Sequence, residues 1–196
     1  DLVRLVRSDV VLLVFTVTAM TYVIATGAAT FFFAAVAADL TGGHGEGTFG
    51  FLVAAMAVGG VVGAAVAGRM RADVRKVYIV GNVLEACCWP LIQLAPVSGA
   101  AYALVFMAGF LESVATVMFY AEIQVRLAQR AVGRYFAALI PATRVSALCG
   151  LAIGSVVVPE LGVATLGVIM AVLIGVPVIA SAGALMGAGA PRAEGA

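Results

Sequence analysis

Two carboxylates and one guanidinium stand inside stretches that otherwise hold almost nothing but apolar residues. Glu85 follows Asn82-Val83-Leu84, Glu112 follows Gly109-Phe110-Leu111, and Arg144 follows Pro141-Ala142-Thr143. A charge in hydrocarbon is expensive and faces either a partner or water. Counted from the nearer basic ends, Glu85 lies about eight residues deep, Arg144 about nine and Glu112 about eight to ten. At 1.5 Å per residue that is roughly 12–15 Å, close to the middle of a ~30 Å hydrocarbon layer. Three charges at one depth, two acidic and one basic, suggest a cluster. Arg144 would pair with one carboxylate, while the other, removed from water, could carry a proton. The cluster reads in two ways: as a static ion pair beside a neutral buried Glu, or as a proton-coupling or substrate site. Asn82 is three residues before Glu85, on the same helix face, and could belong to its hydrogen-bonding shell.

Hydroxyls form the second pattern. Thr18, Tyr22, Thr26 and Thr30 recur every four residues, a slowly winding stripe on one helix face. They either bond their own i−4 carbonyls or line a central polar cavity. Cys87, Cys88 and Cys149 are read as small packing residues, and their spacing is not that of a metal site. His44 sits in Gly42-Gly43-His44-Gly45-Glu46-Gly47, a glycine-rich turn. No nucleophile–base pair, phosphate-binding loop or metal-ligand set is legible. An enzyme is not expected, nor a metal or a cofactor other than a coupling proton.

These residues need elements to hold them, and the elements are apolar runs of about membrane-spanning length: 10–39, 48–68, 77–94, 100–120, 135–158 and 162–186. A span takes ~20 apolar residues, and backbone without water must be helical. The expected fold is an all-α, six-helix transmembrane bundle covering residues 1–196 as one domain, with a short tail at 191–196. Hydrophobic residues make up 64% and charged residues 11% of the chain, far from the soluble norm. Basic residues fall on one side. Arg4 and Arg7 precede the first run; Arg69, Arg71, Arg75 and Lys76 follow the second; Arg126, Arg130 and Arg134 follow the fourth; Arg192 is in the tail. The other breaks, around 42–47, 96–99 and 159–161, carry none. By the positive-inside rule both termini are cytoplasmic. The net charge of +1 gives no nucleic-acid patch. Abundant Ala, Val and Gly with a single Lys lean toward a bacterial source and hence a bacterial cytoplasmic membrane.

Within the runs, Gly59–Gly63, Gly150–Gly154 and Gly183–Gly187 are G-x-x-x-G pairs, which let helix backbones approach closely. They serve either packing within the chain or a face that moves against another domain. Pro90, Pro141 and Pro177 lie inside runs and tend to kink them. The first run, about thirty residues or ~45 Å as a helix, is too long for a straight crossing. It must tilt, protrude or break, and Gly27 is its weak point.

Two basic loops carry a resemblance. Gly68-Arg69-Met70-Arg71-Ala72-Asp73-Val74-Arg75-Lys76 resembles the loop between paired helices of the major facilitator superfamily. Arg75-Lys76 match its closing basic pair, and Gly68 and Asp73 match with a one-residue shift. Gln124 with Gly133-Arg134, inside Glu122–Phe136, is similar to the segment before the eleventh helix in the enterobactin-exporter-like branch of drug and siderophore exporters. The order of loops fits helices seven to twelve, so the chain, which opens on Asp1, resembles a C-terminal half-transporter, whether fragment, processed piece or separate half. The resemblance implies that runs one and four line the cavity. It also implies that runs two and five, with Gly59, Gly63, Gly150 and Gly154, face the N-terminal half, while three and six are peripheral. Glu112 is then nearer substrate than Glu85.

The expected function is half of a proton-coupled exporter of small amphipathic molecules, working by alternating access. Its partners would be the bilayer, the substrate, and an N-terminal six-helix half or a second copy. The alternative is a non-transporting six-helix scaffold that binds a partner protein. A transporter half leaves Thr18, Tyr22, Glu112 and Arg144 open toward the missing half, whereas a scaffold buries them.

Overall fold

A computed structural model describes residues 6, 9–42, 46–95 and 98–187. His44, Pro96, the basic residues Arg4, Arg7 and Arg192, and the 191–196 tail lie outside them. The described chain is almost wholly helical: α1 (Val10–Gly27), α2 (Ala29–Thr41), α3 (Glu46–Ala67), α4 (Val74–Gln93), α5 (Ser98–Arg126), α6 (Gln129–Leu161) and α7 (Val163–Gly187). The helices α1 and α2 together make one long apolar rod. Five segments are long and apolar enough to cross a membrane: Val10–Thr41, Gly47–Ala67, Ser98–Arg126, Gln129–Leu161 and Val163–Gly187.

The third expected span, α4, is not among these five. Over its 20 residues it carries Arg75, Lys76, Asn82, Glu85 and Gln93, and these lower its hydropathy below that of its neighbours. Its polarity nevertheless points inward. Asn82 is 3% and Glu85 0% exposed, while Val80 is 54% and Leu84 49% exposed. A helix in water does the reverse. Polar residues inside and aliphatic ones outside suit a helix whose surroundings are apolar. It packs between α5 and α7.

Helix ends follow local chemistry. The Asp9 carboxylate accepts from the amides of Val11 (2.9 Å) and Leu12 (3.3 Å) and caps α1. Asp73 does the same for α4, accepting from Arg75 at 3.0 Å and Lys76 at 3.2 Å. Gly42 closes α2 in the left-handed conformation (φ 61°). The first run does break after Gly27. Ala28 N–H bonds Ala25 O at 3.1 Å, a tightened last turn. Gly27 is required there by packing, because a Cβ would meet the backbone of Ala147 on α6.

Two expected breaks are shorter than the sequence suggested. The helix α6 runs through Pro159 to Leu161, leaving Gly162 (φ 83°) to turn the chain. Only Leu127 and Ala128 separate α5 from α6, so the residues read as a basic loop are helical extensions.

The helix pairs are α3 with α5, α4 with α5 and α7, and α1 with α6 and α7. Glycines set the closest of these contacts. Gly59 and Gly63 abut the backbone of Phe106 and Phe110, Gly109 abuts Met56, Gly150 abuts Ile24, and Gly154 takes the Phe31 ring. This corrects the expectation that Gly59, Gly63, Gly150 and Gly154 face a second half, since each packs against a helix of this same chain. In an apolar solvent association comes from van der Waals contact rather than water release, so close backbone approach is the main source of cohesion. Gly183 and Gly187 have no neighbour within 4 Å.

Two aromatic clusters fill the interior. Toward the end of the bundle away from the basic residues, Trp89 meets Phe32 (5.5 Å) and Phe33 (5.8 Å). Toward the basic end, Phe15 stacks on Tyr78 at 4.5 Å and tilts against Phe119 at 5.7 Å. The polar site lies between the two.

Candidate functional site

Three side chains from three helices converge where the clusters part. Tyr22 of α1 donates its hydroxyl to Glu85 Oε1 of α4 at 2.9 Å. Glu112 of α5 lies within electrostatic reach of both. Glu85 is sealed. Its Oε2 has no hydrogen-bond partner, nor has the indole N–H of Trp89 one turn further along. Glu112 is half-buried and borders a cavity of about 240 Å³ that is open on one side.

Four helices build that cavity. Ala19, Tyr22, Val23 and Thr26 come from α1; Tyr78 and Asn82 from α4; Ala115, Thr116, Phe119 and Tyr120 join Glu112 from α5; Leu139 and Thr143 close it from α6. Its wall is mostly apolar, with aromatic rings on three of the four helices. The positions follow helical periodicity. Ala19, Tyr22, Val23 and Thr26 step by three and four, as do Glu112, Ala115, Thr116 and Phe119. Asn82 is held by its own helix, Nδ2 donating to Tyr78 O at 2.8 Å.

The hydroxyl stripe divides. Tyr22 and Thr26 line the cavity. Thr18 lies below it, 3% exposed, with its Oγ1 bonding Val14 O at 2.8 Å and the Tyr78 hydroxyl at 2.7 Å. Thr30 is exposed on α2, past the break. A four-residue step gains about 40° per repeat on a 3.6-residue helix, so a stripe of this kind cannot keep one face for long.

Arg144 does not join the carboxylates. It is exposed on α6, and among the described residues it makes no ion pair or hydrogen bond. Leu139 and Thr143, four residues apart, are the α6 residues that face the cavity. Arg144, one residue on, is rotated about 100° away from them. The expected Glu112–Arg144 pair is thus absent here, and the hydrogen bond at this depth runs from Tyr22 to Glu85 instead.

A second polar assembly, not anticipated from sequence, ties the basic end. Glu122 Oε1 accepts from Arg75 Nε at 2.9 Å and from Arg126 Nε at 2.7 Å. Arg126 Nη1 reaches Asp9 Oδ2 at 2.9 Å. Arg75 Nη1 donates to Leu185 O at 2.9 Å. Four helix ends (α1, α4, α5 and α7) are joined this way. Glu122 and Arg126 are four residues apart on one helix, a spacing that announces a pair. Nothing in the spacing points to Asp9. Of the loop-motif residues, Gly68 is in the turn after α3, Asp73 caps α4, Arg75 and Lys76 open α4, Gln124 is exposed on α5, and Gly133 and Arg134 are exposed in the first turns of α6.

Among the described residues no three His, Cys, Asp or Glu side chains gather as metal ligands. No family model, curated protein or solved structure matches this chain.

Proposed function

We propose that this chain is half of a proton-coupled secondary transporter for small amphipathic molecules. In this reading a second six-helix bundle completes the cavity, and the two bundles rock about a midplane site, as in the major facilitator superfamily. The observation that carries the reading is the half-open cavity in which one carboxyl, Glu112, meets the lumen while a second, Glu85, is sealed behind the Tyr22 hydroxyl. Intramembrane carboxyls facing a cavity are the usual substance of proton relays. In this reading Glu112 exchanges its proton with the cavity, beside the Tyr22–Glu85 hydrogen bond. In this reading the open side of the cavity is the surface left for the partner bundle. The proposed location is a bacterial cytoplasmic membrane, with the basic end inside. The alternative scaffold reading calls for a buried polar cluster without a lumen.

The test is transport in vesicles with an imposed pH gradient, using the chain together with its partner half, or as a pair of copies. Gradient-driven accumulation of an amphipathic substrate is expected, and Glu112→Gln is expected to lose its dependence on the gradient. If Glu112→Gln keeps wild-type, gradient-dependent accumulation, Glu112 is not the coupling group. If no gradient-dependent movement occurs with either assembly, the scaffold reading takes its place.

A further inference from the structure

A second hollow lies on the outer surface of the bundle, away from the polar site. The helices α3 and α4 both pack along α5, and their other main neighbours differ, α2 for α3 and α7 for α4. A furrow of about 320 Å³ is left between them. Val66 and Met70 form its α3 bank, Val77 and Val80 its α4 bank, and Phe110 and Val114 of α5 its floor. Val66, Met70 and Val80 are 40%, 39% and 54% exposed, so the furrow opens outward. It begins at the basic end, where Lys76 stands roughly 6 Å along α4 from Val80. Lys76 is the one charged residue of the lining. Its backbone amide donates to Asp73, but among the described residues its ammonium has no ion pair or hydrogen bond. Arg69 and Arg71 flank Met70 in the α3–α4 turn and are exposed. The one acid of that turn, Asp73, caps α4. Arg75, beside Lys76, is engaged with Glu122 and the Leu185 carbonyl. The mouth of the furrow therefore carries net positive charge above an apolar trough.

We propose that this furrow seats one acyl chain of an anionic phospholipid, with the lipid phosphate held by Lys76. The match is of shape and of charge. A phospholipid joins a thin apolar chain to a negative head group, and the furrow joins an apolar trough to an unpaired ammonium. A lysine stem lies along apolar surface while its ammonium reaches the level of the head groups, and basic pockets between membrane helices on the cytoplasmic side take acidic lipid head groups. A helix from another protein fits less well. One turn of a helix ~10 Å across and 5.4 Å long occupies roughly 420 Å³, more than the whole furrow, so it would rest on the banks rather than enter. A zwitterionic lipid would fill the trough equally but would set its own positive group beside Lys76, Arg69 and Arg71. The seated chain touches both α3 and α4 and fills the space between two helices that share only α5. The proposal requires the bundle to sit in a bilayer and does not depend on transport.

The test uses the 196-residue chain in nanodiscs of equal parts phosphatidylglycerol and phosphatidylcholine with identical acyl chains. A trace of one lipid or the other carries a photoactivatable diazirine in its acyl chain, and labelled peptides are mapped by mass spectrometry. The phosphatidylglycerol probe is expected to label the furrow residues about fivefold more than the phosphatidylcholine probe, the margin that one lysine gives near a membrane surface. Lys76→Gln, at an exposed position, is expected to lower phosphatidylglycerol labelling of the furrow about fivefold. Arg130→Gln removes the same charge from an exposed site at the same end, on α6, and is expected to leave furrow labelling unchanged. Val77→Phe, which adds bulk to the half-buried α4 bank, is expected to reduce furrow labelling by both probes while labelling of the α6 outer face persists. Equal labelling by the two probes, a phosphatidylglycerol preference that survives Lys76→Gln, or labelling no stronger in the furrow than on α6 would each overturn the proposal. Photo-cross-linking from a benzophenone at Val80 to a second copy of the chain, in place of lipid, would also overturn it and make the furrow a protein interface.

Discussion

At the scale of the residue, the decisive fact is how unevenly two similar acids are placed. Glu85 and Glu112 were legible as intramembrane charges because each interrupts an apolar run. Their partner was not, because the opposite charge at equal depth, Arg144, offered a simpler pairing than a tyrosine on another helix. Depth along a helix can be counted in a sequence, but azimuth across helices depends on how they pack. Tyr22 is the hinge of the arrangement. Its hydroxyl is the hydrogen-bond donor to one oxygen of a buried carboxyl. Tyr22→Phe should leave Glu85 Oε1 without its hydrogen bond in a closed site, at a cost of about 1–3 kcal/mol. The expected result is a lower melting temperature in detergent for Tyr22→Phe, with near-recovery in Tyr22→Phe/Glu85→Leu, where both polar groups are gone. Equal melting of Tyr22→Phe and the parent would show that this hydrogen bond contributes nothing to stability.

At the scale of the element, glycine position matters more than glycine pattern. The three G-x-x-x-G pairs look alike in sequence. Two of them press a backbone or a ring of this same chain, and the third meets nothing within 4 Å. A methyl group at Gly150 would collide with the Ile24 carbonyl of α1, a backbone atom that cannot rotate aside. Gly150→Ala should therefore destabilise by about 1–3 kcal/mol, the usual cost of overpacking. Gly183→Ala, on an open face, should be neutral or slightly stabilising, since alanine is the better helix former. Comparing the two by thermal unfolding in nanodiscs checks this, and equal effects would contradict the close α1–α6 contact. The helices themselves were readable from apolar run length, and the break after Gly27 from excess length. Their true ends were not, because α5 and α6 continue as helix into basic sequence that hydropathy alone counts as loop. The inward polarity of α4 escaped for the same reason, since an average over a window carries no direction.

At the scale of the whole molecule, the bundle has a basic end and an end without basic residues among those described. That asymmetry predicts an orientation that labelling can read. In a background with Cys87, Cys88 and Cys149 changed to Ala, a cysteine introduced as Glu160→Cys is expected to react with an impermeant maleimide from outside intact cells. One introduced as Ala72→Cys is expected to react only after the membrane is opened. Both positions are exposed in the structure. Reaction of Ala72→Cys in intact cells would invert the topology.

The order in which α1 finds its neighbours has a consequence for how the molecule is made. The helix α1 packs chiefly on α6 and α7, and the hydrogen bonds joining it to the rest of the bundle span large stretches of chain. Asp9 and Arg126 are 117 residues apart, and Thr16 and Tyr135, whose hydroxyls meet at 2.9 Å, are 119 apart. A ribosome adds about 5–20 residues per second. The first helix to enter the bilayer thus stays without its principal contacts for roughly 6–24 s of synthesis, until the fifth rod begins to arrive. During that interval the Thr18–Tyr78 and Tyr22–Glu85 bonds, across 60 and 63 residues, are the earliest long-range polar links available to it among the described residues. The Tyr22–Glu85 bond, with Thr18–Tyr78 beside it, is then also a clasp for assembly, holding the nascent N-terminal rod near α4 before its permanent neighbours exist.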